Sequence, residues 1–348
     1  MIKTLHDAVS EALSDRSLDW RSCFVRIHPE PPDGRTVVFE CSDKGVLDDV
    51  RDRISKTGGE SVSVSYVPLP DPQEPLPELL IASGSVADVR KGPSHAAELV
   101  TQSIYGERVE PLKREGDWLL VRLDDGYLGW VRSWHLKSLP IEKLDKFSSE
   151  ARHRVRDNII QVFEEPSERG LPACDAVVGT VLIARSCGKK GWREVVFPDD
   201  RRGFAKARSL ERIPGRRRVS RDKLASTGLR FLGVPYLWGG NTPKGFDCSG
   251  LMQRIFKLHG ALVPRDSDLQ SRFGEEKPVG EIDALDTGDL LFFGKNKTQI
   301  THVAMYLSNG LFLHAHGHVR VSALDPSHTL FAGRLVGDWQ ITRDPLSK

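Results

Sequence analysis

Apolar residues recur at two different periods along this chain, and each change of period marks a segment boundary. Ile2, Leu5, Val9 and Leu13 fall at helical spacing, which predicts an amphipathic helix over residues 5–13. A second helical run covers residues 46–54. Residues 35–39 and the alternating residues 61–67 read as short strands, so residues 1–77 form a small α+β segment. Its end is broken up by Pro68, Pro70, Pro72, Pro75 and Pro77. Period two then takes over. Across residues 78–140, short alternating runs (87–89, 108–112, 118–123) are separated by turns such as Glu115-Gly116-Asp117. Residues 141–215 repeat that pattern in diverged form: Gly191-Trp192 parallels Asp117-Trp118, and Gly203-Phe204 parallels Gly129-Trp130.

From residue 216 the pattern changes again. Leu251, Ile255 and Leu258 lie on one helical face with Met252 and Phe256 beside them, and Gly260 follows as a stop. Residues 289–293 read as a buried strand and residues 301–307 as the next. Ser308-Asn309-Gly310 is a hairpin turn, and residues 311–316 return as a third strand.

Composition narrows the partners. Fifty basic and 48 acidic side chains leave a formal charge of +2, too balanced to give a general field for nucleic acid or an anionic membrane. The Arg216-Arg217-Arg218 run reads as a solvated linker. The first nine residues carry charges where a signal peptide needs an apolar core, and no stretch approaches the ~18 apolar residues of a membrane span. Five cysteines, an odd count with no CxxC pair, favour a reducing compartment. A cytoplasmic protein without nucleic-acid or membrane partners is expected; the sequence fixes no oligomeric state.

The chemistry concentrates in the last segment. Cys248 stands at the predicted start of a helix, with Asp247 or Ser249 as cap. Unpaired N–H groups there favour a thiolate and can hold an oxyanion. The partner imidazole is His302, at the start of one strand, and His314 lies on its neighbour, where it can fix the tautomer of His302. His316 shares the face of His314 and is the competing choice. A metal site is the rival reading of the His314-Ala315-His316-Gly317-His318 tract, but a run of solvated histidines explains its later members equally well. Neither metal nor cofactor is expected. Cys23, Cys41, Cys174 and Cys187 read as small buried hydrophobes.

Several blocks occur here in one order: Tyr-x-Trp-Gly-Gly from Tyr236, Phe-Asp-Cys-Ser-Gly-Leu from Phe246, Pro-Arg-Asp-Ser from Pro264, Gly-Asp-Leu-x-Phe-Phe from Gly288, His-Val-x-x-Tyr-Leu from His302 and Phe-x-His-Ala from Phe312. Together they resemble the NlpC/P60 cysteine peptidases, a papain-like α+β fold acting on peptidoglycan peptides. The resemblance implies Cys248 as nucleophile, His302 as base and His314 as orienting residue. Residues 78–140, ending in Gly126-Tyr127-Leu128-Gly129-Trp130-Val131, resemble a bacterial SH3-like barrel. The expected architecture is therefore an N-terminal α+β segment (1–77), two SH3-like barrels (78–140 and 141–215) and a papain-like peptidase domain (216–348).

That layout is similar to the γ-D-glutamyl-L-diamino acid endopeptidases, which implies short murein peptides as substrates, a free N-terminal L-Ala and an intracellular recycling role. By this resemblance Asp247 pairs with the substrate ammonium, Tyr236 and Ser249 hydrogen-bond nearby, and Asp266 and Ser267 line the pocket. Tyr127 would close over the substrate, and Glu98, just ahead of Thr101-Gln102, would add an acidic group. Plainer roles remain for each: a helix cap for Asp247, packing for Tyr127, a solvated carboxylate for Glu98. Two other functions compete, an exported hydrolase acting on intact wall and a murein peptide-binding module with a dead cleft.

Overall fold

The computed structural model describes every residue except 1, 30–35, 57–62, 214, 216–218 and 348. Arg35, Ser61 and Val62 of the expected strands, and the Arg216-Arg217-Arg218 run, lie outside the described residues. The chain forms two compact units. One holds Met1–Ile81, Arg90–Ala97 and Glu107–Ile141; the other holds Ala82–Val89, Glu98–Gly106 and Glu142–Lys348.

In the first unit, strands Val25–Pro29, Thr36–Cys41 and Ser63–Pro68 make a three-stranded sheet in chain order. The first pair is antiparallel and the second parallel. A parallel pair needs a crossover, and helix Lys44–Lys56 supplies it. Leu5, Val9 and Ala12 of helix Ile2–Asp15 share a buried core with Phe39, Val46 and Val50. Helical and alternating patterning each put the same residues inside, which is why this segment was legible as α+β. The rest of the unit carries an antiparallel meander, Arg108–Glu115, Trp118–Leu123 and Leu128–Arg132. Trp118, Leu120, Leu128 and Trp130 are buried together there.

In the second unit, seven strands between His153 and Arg212 form one sheet around Val155, Val162, Leu182, Val195 and Ala205. The two strand-rich regions share one local detail. Strand Leu128–Arg132 runs into a 3₁₀ turn (Ser133–His135) and a short strand (Leu136–Ser138). Strand Arg202–Lys206 does the same through Ala207–Ser209 and Leu210–Arg212.

The remainder of this unit is the α+β region that carries the candidate chemistry. Its six-stranded sheet runs Glu275–Lys277, Trp339–Asp344, Leu290–Gly294, Ile300–Ser308, Leu311–His316, His318–Ala323 in spatial order. Helix Cys248–Leu258 buries Leu251, Met252, Ile255 and Phe256 in a core that also takes Phe292, Val303 and Leu313 from the sheet. It ends where expected, with Gly260 at φ +78° accommodating a turn that a Cβ would strain. Asn309 and Gly310 both adopt positive φ, as a two-residue hairpin turn requires. Among the described residues no helix is long and apolar enough to cross a membrane.

Candidate active site

Cys248 is the first residue of its helix, and Asp247 is the N-cap, accepting from the Gly250 N–H at 2.6 Å. The approach to this cap is tight enough to demand glycine at two places. A Cβ on Gly250 would sit 2.2 Å from the Gly240 carbonyl oxygen, and one on Gly239, at φ +75°, would sit 2.3 Å from the Leu99 carbonyl oxygen. The Trp-Gly-Gly and Cys-Ser-Gly blocks are thus two halves of one packed turn.

A buried charge cluster backs the helix start. Arg265, 2 % exposed, donates to Asp247 through both terminal nitrogens, Nη1 to Oδ1 at 3.0 Å and Nη2 to Oδ2 at 2.6 Å. It also donates to Ser249 Oγ and, through Nε, to Thr101 Oγ1, each at 3.0 Å. Asp247 Oδ2 accepts further from the Gly239 N–H at 2.9 Å. Both carboxylate oxygens are therefore taken by donors of the chain itself. Residues 98–106 reach this region as part of the same compact unit. Gln102 Oε1 accepts from the Asn241 N–H at 3.3 Å and from Thr242 Oγ1 at 3.1 Å. Glu98, which is exposed, accepts from Trp238 Nε1 at 2.8 Å across 140 residues of sequence.

The histidines form a relay. His302 Nε2 lies 2.9 Å from His314 Nδ1, and His314 Nε2 lies 3.1 Å from Ser322 Oγ. Met305 pairs with Leu313 across the hairpin, which puts His314 opposite Ala304 and diagonal to His302. His316 shares that face but is exposed, with its ring 6.2 Å from that of His302. Cys248 shares a buried core with Val303, the residue after His302, and the backbone N–H groups of Val303 and Ser249 favour its thiolate.

Burial sets the charge states. It pushes the Cys248 thiol up to about 12, with Asp247 adding to the rise and the Val303 and Ser249 N–H groups opposing it. Burial lowers His302 to about 4 and His314 to about 3, helped by His316 in the first case and by His302 and Arg320 in the second. Both shifts favour a neutral thiol and a neutral imidazole at neutral pH. Burial also raises the Tyr236 phenol, followed by the charges of Cys248 and Asp247, so its hydroxyl stays a donor.

Those shifts carry a stability consequence. Unfolded histidine protonates near 6.5, whereas the folded rings do so at about 4 and about 3. Between these values the unfolded chain binds more protons, so stability falls as pH drops from about 6.5 towards 4. The thermal midpoint should decline across that window, and His314→Gln should flatten the decline. Parallel curves for the two proteins would contradict a neutral buried His314.

A cavity of about 720 Å³ adjoins the relay, with Tyr236, Thr301, His302, His314 and His316 among its walls. Cys248, only 7 % exposed, does not contribute to that wall. Asp266 and Ser267 are half-buried where the short helix Ser267–Gln270 begins. Tyr127 belongs to the first unit, buried edge-on to Trp20 with centroids 6.1 Å apart. Cys23 and Cys41 are buried in the first unit with their sulfurs 3.6 Å apart, and all five thiols are free. Among the described residues no group of three or more His, Cys, Asp or Glu side chains is arranged to hold a metal ion.

Sequence reasoning overlooked Arg265, Asn241 and Ser322. Arg265 stands inside the Pro-Arg-Asp-Ser block, and an arginine directly after the uncharged run 260–264 was the available signal. Ser322 offered none, because only strand register brings it to His314.

Residues 233–340 match the NlpC/P60 family, and residues 89–136 match the bacterial dipeptidyl-peptidase Sh3 domain. Over 252 residues the chain is 32 % identical to a gamma-D-glutamyl-L-lysine dipeptidyl-peptidase of Bacillus cereus, covering 68 % of this chain and 73 % of the relative. A protein of the same name from Bacillus subtilis is 34 % identical over 231 residues, 62 % of this chain and 71 % of its own length. Among solved structures, the crystal structure of a NlpC/P60 family protein from Bacillus cereus aligns with a TM-score of 0.65 at 25 % identity, covering 77 % of this chain and 99 % of that one.

Proposed function

The chain belongs to the NlpC/P60 family, and on that premise we propose that it is a cysteine peptidase hydrolysing the γ-D-Glu–diamino acid bond of short murein peptides. The observation that carries this reading is the relay itself. His302 lies in hydrogen-bond reach of His314, and Cys248, at the start of its helix, shares a buried core with Val303, next to His302.

The chemistry follows from the charge states. With His314 Nε2–H donating to Ser322 Oγ, His314 Nδ1 accepts from His302 Nε2–H. The lone pair on His302 Nδ1 then serves as base. Because thiol and imidazole rest neutral, the proton passes from sulfur to His302 as the sulfur attacks the carbonyl carbon. The Cys248 N–H, in the first turn and so without a helical acceptor, faces the developing oxyanion. Imidazolium returns the proton to the departing amine, leaving a thioester, and water attacking that carbonyl releases the acid and restores the thiol.

For the free amine of an N-terminal L-Ala we assign Glu98, an exposed carboxylate positioned by Trp238 Nε1. The charge of Asp247 is already matched by the bidentate Arg265, so its part is to hold the helix start and the Gly239 turn. Ser249, with Asp266 and Ser267, completes the acyl-side surface, and Tyr236 stands by the bond that is cut, in the wall of the cavity that His302 also lines. A free-amine requirement excludes intact wall, where muramic acid acylates that nitrogen, and so confines the enzyme to detached peptides in cytoplasmic recycling.

The test is mass spectrometry of L-Ala-γ-D-Glu-diaminopimelate digests beside an N-acetylated copy. Release of L-Ala-γ-D-Glu from the free-amine peptide alone is the expected result. Glu98→Gln should raise KM for that peptide about tenfold, the worth of one charge-assisted contact. Equal cleavage of both copies would discard the recycling specificity, and cleavage of neither would leave a binding module.

A further inference from the structure

The cavity beside the relay has a charge pattern of its own. Beyond the histidines its wall includes Arg320, Arg334 and Asp338. Arg320 is the cross-strand partner of His314, and its charge helps hold that ring neutral. Arg334 lies on the short helix Gly333–Gly337, and Asp338 ends it. All three side chains are exposed. Among the described residues none of them makes a hydrogen bond or ion pair through its charged group. Elsewhere in the same domain the arginines are engaged: Arg221 with Asp289 and Asp344, Arg265 with Asp247, Arg343 with Glu276. Two idle guanidiniums and one idle carboxylate around one cavity therefore stand apart from the domain's habit.

Direction along the substrate follows from the proton's path. The amine that leaves must come within hydrogen-bond reach of His302, because that ring returns the proton. His302 is part of this cavity's wall, whereas Glu98, Asp247 and Ser249 are not. The cavity therefore faces the leaving group. A diaminopimelate at the end of a tripeptide brings two carboxylates and one ammonium besides the nitrogen being released. Lysine there brings one carboxylate and one ammonium. Two guanidiniums and a carboxylate complement the first set completely and leave one guanidinium unmatched against the second.

We propose that Arg320, Arg334 and Asp338 form the leaving-side subsite of this enzyme and select diaminopimelate over lysine by its second carboxylate. This rests on the peptidase reading above, and it assigns this chain a diamino-acid preference different from the lysine in its relatives' names.

The experiment is a competition digest of L-Ala-γ-D-Glu-diaminopimelate and L-Ala-γ-D-Glu-L-Lys at low ionic strength, read by mass spectrometry as the ratio of kcat/KM values. A preference of about tenfold or more for the diaminopimelate peptide is expected, the worth of one charge-assisted pair. Amidating the distal carboxyl should erase it. The preference should also vanish in an Arg320→Gln, Arg334→Gln double variant that still cuts both peptides; both positions are exposed, so folding is not at stake. Equal wild-type rates, a lysine preference, or a preference that survives the double substitution would overturn the subsite while leaving the peptidase standing. Cleavage of neither peptide would remove the peptidase reading and the subsite with it.

Discussion

Cys248→Ala is expected to lower turnover of L-Ala-γ-D-Glu-diaminopimelate by about 10⁴-fold or more, since without a nucleophile no thioester forms and the relay has nothing to deprotonate. The thermal midpoint should move little. The side chain removed is small, and a neutral thiol is a weak hydrogen-bonding group. Cys248→Ser is the stricter control, because it keeps a polar side chain of similar size while offering a far poorer nucleophile. Both variants should therefore be inactive and folded. The readout is product by mass spectrometry together with a thermal melt. Activity within tenfold of wild type in either variant would remove Cys248 from the chemistry and direct attention to the cavity as a binding surface.

What the sequence made legible follows from how far apart the interacting residues are. The helix after Cys248 was visible because its apolar face repeats within 11 residues, and the His302–His314 pairing only in outline, because a tight turn joins the two strands but the register shift between Tyr306 and Ser308 is what sets both rings on one face. Both are local. Glu98 and Trp238 meet across 140 residues, and Thr101 and Arg265 across 164; no periodicity carries such information. Asp247 was legible as a cap, yet its bidentate arginine was not, so the role given to its carboxylate changes once Arg265 is in place. The segment from Ala82 to Gly106 shows a second limit. Alternation identifies its strands, but only packing decides that Ala82–Val89 and Glu98–Gly106 join one compact unit while Arg90–Ala97 joins the other. Positions that had no functional motif, Arg320 and Arg334 among them, acquire meaning only from the cavity they share.

Arg265→Met should be the most destabilising single change near the site, and the reason is asymmetric. Arg265 and Asp247 are both buried. Forming such a pair takes two charges out of water, so the pair adds little net stability over an apolar substitute. Removing one partner is another matter, because Asp247 would keep its burial while losing two of its donors and its countercharge. Such a loss costs about 3–5 kcal/mol. Asp247 also accepts from Gly239 and Gly250, so relaxation would pull on the turn and on the start of the nucleophile's helix, and activity should fall with stability. The double variant Asp247→Asn, Arg265→Met removes the orphaned charge and retains an amide oxygen to cap Gly250; it should recover more than half of the lost stability. Urea unfolding of wild type, the single and the double variants measures this directly. If the single variant is as stable as wild type, or the double is no better than the single, the pair does not hold the helix start, and Asp247 becomes free to be reconsidered as a ligand for the substrate ammonium.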